Sequence, residues 1–416
     1  GAVAAEIALI AGRGAPNRIS ADLDFEAAAL SISELDWSKP EGVPATGRVE
    51  AVATDGVLLD APTLALSAPG LSFSGAFSPG GAPGSGRLTV QALRVGRTAF
   101  DQLDVRFDPE SVMLLGRASG FDLSPLRRAE PGDDAEAANP LDVSFTSPVA
   151  VDARLAVDRL WLDPDAPPMT DVALTMSHDG ARWRAATFEG AAGAGSLALD
   201  YAVGREGADL AVRIDDVGAA VAAIGGAPRV RGGRLAATAD PGEGGGVGGR
   251  VDIRDLRLVN APIMARALQI ASLTGVLETL GGSGLLFGAA GAYWALDDGI
   301  LTLEDGRARN VSLGLTFNGE VDLVRERVAM RGTLAPAFLL SRAIGAIPLI
   351  GDILSPRDEG LFAFSYQATG PIAGPEVSVN PLTALAPGVL RDLFPDSETE
   401  LDREDAPTVN EAPEAA

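Results

Sequence analysis

Along most of the chain, apolar and polar side chains alternate with period two, in short runs. "RLTVQALRVG" (87–96) and "VDARLAVDRLWL" (151–162) alternate throughout. "TDVALTMSHDGARWRAATFEG" (170–190) and "GSLALDYAVGREGADLAVRIDD" (195–216) each read as two strands joined at a turn, "HDG" and "GREG". The stretch 292–334 reads as four or five strands with turns at "DDG", "EDG", "NG" and "RER". Asp-Gly and Asn-Gly between alternating runs are strong hairpin signals, because both turn residues need positive φ. One face of each strand carries Leu, Val, Ala or Phe, and the other Arg, Asp, Thr or Ser.

Three stretches near the C-terminus change period. Residues 261–281 place Pro262 at a helix start and Gly281 at a stop, with Leu273, Val276, Leu277 and Leu280 on one stripe. Residues 336–354 form a second helical stretch that Pro348 should break, and 381–393 a third. The pattern therefore predicts a mainly β protein: an elongated antiparallel sheet, curled into an apolar groove, with a few short amphipathic helices near the C-terminus. About 25 strands at ~4.8 Å each would reach on the order of 120 Å, too wide to stay flat. The domain reading is an N-terminal β segment (1–128), a polar linker (129–140), a C-terminal β region (141–395) and an acidic tail (396–416).

Composition narrows the function. Fifty glycines and 28 prolines in 416 residues fit many turns. A formal net charge of −24 excludes a nucleic-acid binder, which needs a basic face. Seven of those charges are the tail's, which holds eight acids and one Arg and reads as solvated and disordered. No cysteine is present, so disulfides and thiolate chemistry are absent. No signal peptide and no apolar run of 18 residues is visible, and the chain starts with Gly, which reads as a processed or partial piece.

No catalytic or metal constellation stands out. The single histidine, His178, sits at a predicted turn. The spacing Gly244, Gly246, Gly249 matches a dinucleotide fingerprint but precedes a strand pattern, so it reads as a loop. Asp297-Asp298 and Glu304-Asp305 precede glycines and read as turn chemistry. An enzyme, a cofactor and a metal are not expected. What remains is grease: "AIGAIPLIGDIL" (343–354) is too short to span a bilayer and must bury itself in protein, partner or membrane interface.

Several phrases resemble the AsmA-like proteins of Gram-negative bacteria, particularly the YhdP-type branch. They are "DVGAAVAAIGGAPRVRGGRLAATA" (216–239), "VDIRDLRLVNAPIMARALQIASLTGVLETLGGSGLLF" (251–287), and the ordered run of "IPLIG", "GPIAGPEVSVNPL" and "LAPG". The similarity covers about 151–394; residues 1–128 share only the strand rhythm. The resemblance implies a periplasmic bridge-like carrier. It would move phospholipid between inner and outer membrane, its full-length form anchored in the inner membrane by a segment absent here.

The expected partners are phospholipid acyl chains, the membrane interface, and an outer-membrane or periplasmic protein. Candidate lipid contacts are Leu315, Phe317, Ile344, Ile347, Leu349, Ile350, Ile353 and Leu354. The alternative is a periplasmic scaffold for outer-membrane β-barrel assembly, as proposed for the related TamB type; it would offer strand edges to a client. A surface β-solenoid is a third reading.

Overall fold

The structure, a computed structural model, describes residues 2–128, 149–259, 265, 283–336 and 364–380. Positions 13, 14, 56, 205–207, 227, 228, 242–246, 298, 312 and 373 are excepted. It is mainly β, with one sheet of 21 strands in which each strand pairs with the next along the chain.

β1 (Ala4–Gly12) and β2 (Ala15–Asp24) open the sheet. A small excursion follows: β3 (Leu30–Ile32), a single 3-10 turn (Ser33–Leu35) and β4 (Trp37–Lys39), with β3 and β4 paired only to each other. β5 (Thr46–Thr54) then returns to lie on β2. β6 (Val57–Ala68), β7 (Leu71–Pro79), β8 (Gly86–Val95), β9 (Thr98–Phe107) and β10 (Ser111–Asp122) continue as hairpins, ending at the short helix α1 (Ser124–Arg128).

The second half repeats the form. β11 (Ala150–Trp161), β12 (Met169–His178), β13 (Trp183–Ala192), β14 (Gly195–Val203) and β15 (Ala208–Ile214) lead to helix α2 (Val217–Ala223). β16 (Val230–Pro241), β17 (Val247–Leu258), β18 (Leu285–Asp297), β19 (Ile300–Arg309), β20 (Leu313–Asp322), β21 (Arg327–Pro336), β22 (Phe364–Pro371) and β23 (Glu376–Asn380) complete the sheet.

Aspartates close the hairpins. The Asp179 carboxylate accepts from the Ala181 and Arg182 N–H groups at 2.9 Å, beside Gly180 at φ 94°. Asp108 accepts from Glu110 and Ser111, and Asp322 from Val324 and Arg325, in the same way. Such turns satisfy backbone donors that the ladder leaves over and fix strand register.

Three expectations need correction. First, the meander is not wholly antiparallel: β10 and β11 pair in parallel, Gly116 beside Leu155. A parallel neighbour requires a crossover rather than a tight turn, and the intervening segment is long enough to supply it. The expected linker 129–140 lies in that segment, outside the described residues.

Second, "EDG" and "NG" are not turns. Glu304–Gly306 lies inside β19 and Asn318-Gly319 inside β20. Asp305 (φ 49°) takes the positive φ within a β-bulge, and its N–H donates to Asn318 Oδ1 at 2.8 Å. The two motifs face each other and stabilise one bulge, which adds local twist.

Third, helices are not confined to the C-terminal stretches: the phrase at 216–239 contains α2, capped by Asp216, whose carboxylate accepts from Ala219 N–H at 2.9 Å. The helices expected at 261–281, 336–354 and 381–393 lie outside the described residues, apart from Ala265 and the strand end Pro336, as does the tail 396–416. Among the described residues, no helix is long and apolar enough to cross a membrane.

Among the described residues, three clusters of buried side chains stand out. Trp37, on the β3–β4 excursion, covers Leu71 and Val95, its Nε1–H donating to Pro69 O at 3.0 Å. Lys39 pins that excursion, its buried ammonium donating to the Pro40 and Val43 carbonyls at 3.0 and 2.6 Å. α2 covers Val157, Val172 and Ala192 with Ala220 and Ala223. Leu285, Phe287, Leu313, Leu334 and Tyr366 form the third, with Ala265 packed against it.

Candidate functional site

Residues paired in register point to the same side of a sheet, so the pairings reveal what each face carries. On one side, a row starts at Ile7 and passes through Ala21, Val49, Leu64, Gly75, Val90, Leu103 and Gly116. It crosses the parallel seam to Leu155 and continues through Leu174, Phe188, Leu199, Val212, Ala237 and Val251 to Ala292. This middle row spans β1, β2 and β5 to β18 without one side-chain heteroatom. At ~4.8 Å per strand it runs about 70 Å.

Two flanking rows are also apolar. One passes through Leu66, Phe73, Leu93, Phe100, Ala118, Val157 and Val172. Beyond a register shift it resumes through Leu197, Ile214, Leu235, Ile253, Ala290, Ala308, Leu315 and Leu334 to Phe364. The other passes through Phe77, Leu88, Val105, Leu114, Ala153, Met176, Ala186, Tyr201 and Leu210. It then crosses Ala239, Gly249, Trp294, Leu303, Gly319, Met330, Ala368 and Val377. Only Tyr201 and Trp294 bring a polar atom into it.

The opposite face is charged and ion-paired. Asp104 lies between Arg87 and Arg106 at 2.5 and 3.1 Å; Arg94 meets Asp101 at 2.7 Å and Arg250 meets Asp252 at 3.0 Å. Apart from the buried Asp104 carboxylate, these groups are exposed, and exposed pairs contribute little stability each. They keep that face in water and fix which side is which, because a one-residue slip would invert both faces.

Coverage of the apolar face is uneven. The three clusters of buried residues sit along the first flanking row. In the middle row Leu64, Leu103, Leu155, Leu174, Phe188, Leu199, Val212 and Val251 are only half-buried. A sheet face packed under a second layer would bury these side chains, as Leu313 (0 %) and Leu334 (1 %) are buried. Val90 (4 %) and Ala292 (7 %) are buried; elsewhere, among the described residues, the central strip is a partly accessible apolar surface.

Of the expected lipid contacts, Leu315 lies in the first flanking row between Ala308 and Leu334. Phe317 lies one step along the same face, its ring over Gly306: a Cβ there would meet the ring at 2.3 Å. Ile344, Ile347, Leu349, Ile350, Ile353 and Leu354 lie outside the described residues. The structure adds the middle row, whose signal in the sequence is the apolar half of each alternating run.

His178 ends β12, buried, with Nδ1 accepting from Gly180 N–H at 3.1 Å and its ring edge-on to Trp183. Gly249 sits in β17, where a Cβ would meet the Thr238 carbonyl at 1.9 Å; Gly244 and Gly246 lie outside the described residues. Among the described residues, no cluster of three or more His, Asp or Glu is placed to hold a metal ion. No family model matches the chain, and no curated protein or solved structure matches it.

Proposed function

We propose that this chain carries phospholipid acyl chains along the apolar face, across the strands, without chemistry of its own. The observation that supports it most is the middle row: unbroken from β1 to β18, free of heteroatoms, and half-buried over most of its length, with Val90 and Ala292 covered. Each buried CH₂ is worth about 0.8 kcal/mol, so a 16-carbon chain in water costs roughly 12 kcal/mol. A continuous strip of Leu, Val, Ala and Phe removes that cost at every step. Near-equivalent contacts at each strand leave no deep trap, so a lipid slides. The charged opposite face keeps the sheet in water meanwhile.

In this reading the sheet curls its apolar side inward as a groove. The role assigned to the greasy stretch 343–354 is contact with a membrane interface through Ile344, Ile347, Leu349, Ile350, Ile353 and Leu354. The chain works in the periplasm as a YhdP-type AsmA-like carrier, its full-length form held at the inner membrane, supplying the outer membrane. The test is lipid capture: purify the chain from a Gram-negative host and identify bound lipid by mass spectrometry. Stoichiometric phospholipid supports the carrier. Folded, lipid-free protein from several extractions contradicts it.

A scaffold for outer-membrane β-barrels, offering strand edges to a client, is the second reading. That role would act through backbone pairing at the edge and would survive charges placed in the middle row.

A further inference from the structure

Part of the charged face is basic. It carries six arginines on nearby strands: Arg231 and Arg234 on β16, Arg254 and Arg257 on β17, Arg307 and Arg309 on β19. The register fixes their side. Arg231, Arg257 and Leu286 form one row, and Arg234, Arg254, Ala289 and Arg309 the next. Ile253 and Leu258, beside Arg254 and Arg257 in sequence, belong to the apolar side. Asp252 and Asp255 stand among the arginines, meeting Arg250 at 3.0 Å and Arg234 at 2.5 Å. Six guanidiniums around two carboxylates make a positive patch in a chain of net charge −24.

The patch has a low floor. β18 brings Gly288, Ala289 and Gly291 between the arginines, and a Cβ added at Gly288 would meet nothing within 4 Å. Ala289 is the register partner of both Arg254 and Arg309. These two arginines therefore stand two strand spacings apart, about 9.6 Å, which admits one extended chain. Arg307 and Arg309, two positions apart, repeat along one wall at about 6.8 Å.

The sequence contains a segment with the complementary spacing. In 396–404, which lies outside the described residues, Asp396, Glu398, Glu400, Asp402 and Glu404 take every second position. Extended, such a segment turns all five carboxylates to one side, at the same repeat of about 6.8 Å. The described chain also leaves the sheet on the matching row. Asn380 pairs with Ser365 and Ser365 with Thr333, whose hydroxyl lies 2.7 Å from that of Thr316, the partner of Arg307. β23 and β18 are five strand spacings apart, about 24 Å. The intervening residues 381–395 can reach up to about 50 Å.

We propose that residues 396–404 dock in extended form over β18, between the arginines of β17 and β19. The contact is a row of exposed ion pairs, individually weak and sensitive to salt. It withholds the arginines from other polyanions, which must first displace the segment. It does not depend on what the apolar face carries.

The chain has no cysteine, so introduced thiols report the contact. In the full chain, Ala289→Cys is combined with Glu400→Cys and oxidised in dilute solution. The comparison pairs Glu400→Cys with Ala329→Cys, an exposed position on the same face, between Glu320 and Thr369 and nearer to β23. The expected result is an intramolecular disulfide at Ala289→Cys, about tenfold or more above Ala329→Cys. Adding Arg254→Glu and Arg309→Glu should abolish that preference with the β spectrum unchanged. So should salt at about 1 M, which screens charges beyond about 3 Å and needs no further variant. Equal trapping at both positions, trapping indifferent to salt, or disulfides only between copies overturns the proposal.

Discussion

Leu155 and Leu174 face each other across the β11–β12 pair, and both are half-buried. Gly116 continues their row on one side and Phe188 on the other. The relationship matters because β11 is the strand that joins its neighbour in parallel. The apolar row passes through the change of strand direction unbroken.

A charge at this point should stop transit without unfolding the sheet. Leu174→Asp puts a carboxylate where an acyl chain would have to desolvate it. Transfer of fluorescent phospholipid between donor and acceptor vesicles should fall by about tenfold or more. Thr175→Asp, on the other face, should leave transfer unchanged. Equal loss in both variants would mean that the row is not the path.

Gly306 is required by close approach. A Cβ there would meet the Phe317 ring at 2.3 Å and the Phe317 carbonyl oxygen at 2.5 Å. Gly306→Ala forces the bulge apart and should destabilise the chain by about 1–3 kcal/mol, read as a lower urea midpoint.

Tyr366 lies over Gly332 and donates its O–H to the Thr316 carbonyl at 3.0 Å. Tyr366→Phe leaves that partly buried carbonyl one partner short and should cost about 1 kcal/mol. Burial pushes the phenol above its ordinary value of 10.0. Because the folded state disfavours the phenolate, the stability is complete below pH 10 and is lost as pH rises beyond it. The variant should lack that alkaline loss in a pH series of unfolding midpoints.

Asp179 is held low by the N–H groups of Ala181 and Arg182 and then by Arg184, to about 2. A depressed carboxylate stabilises fully above its ordinary value of 3.8, and the effect is lost as pH falls toward 2. A carbon-detected NMR titration should place its midpoint near that value. A midpoint at the ordinary carboxylate position would contradict the turn geometry.

The strand rhythm and the two chemically distinct faces were legible in the sequence, because alternation is local. Register was not. Whether Leu174 meets Phe188 or its neighbour depends on the irregularity between Thr170 and Ala173, beside Asp171, an aspartate at positive φ inside a strand. Asp305 shows the same ambiguity from the other side: Asp-Gly signals positive φ, and a bulge satisfies that signal as well as a hairpin turn. The parallel seam was hidden because no local pattern distinguishes a crossover from a linker. Of the expected lipid contacts, Leu315 and Phe317 fall on the apolar face, for the alternation fixes their side. The six candidates from Ile344 to Leu354 were chosen for greasiness alone, and no pairing partner in the described sheet constrains them.

The central claim is that lipid lies along the middle row. The most direct test places a photo-crosslinking amino acid at Leu103, Leu174 and Val251, and separately at Asp104, Thr175 and Arg250 on the opposite face. Each variant is irradiated in a Gram-negative host and its adducts are weighed. The account predicts phospholipid adducts at all three middle-row positions and none at the other three. Absence of lipid at every position, or equal labelling of both faces, would contradict it.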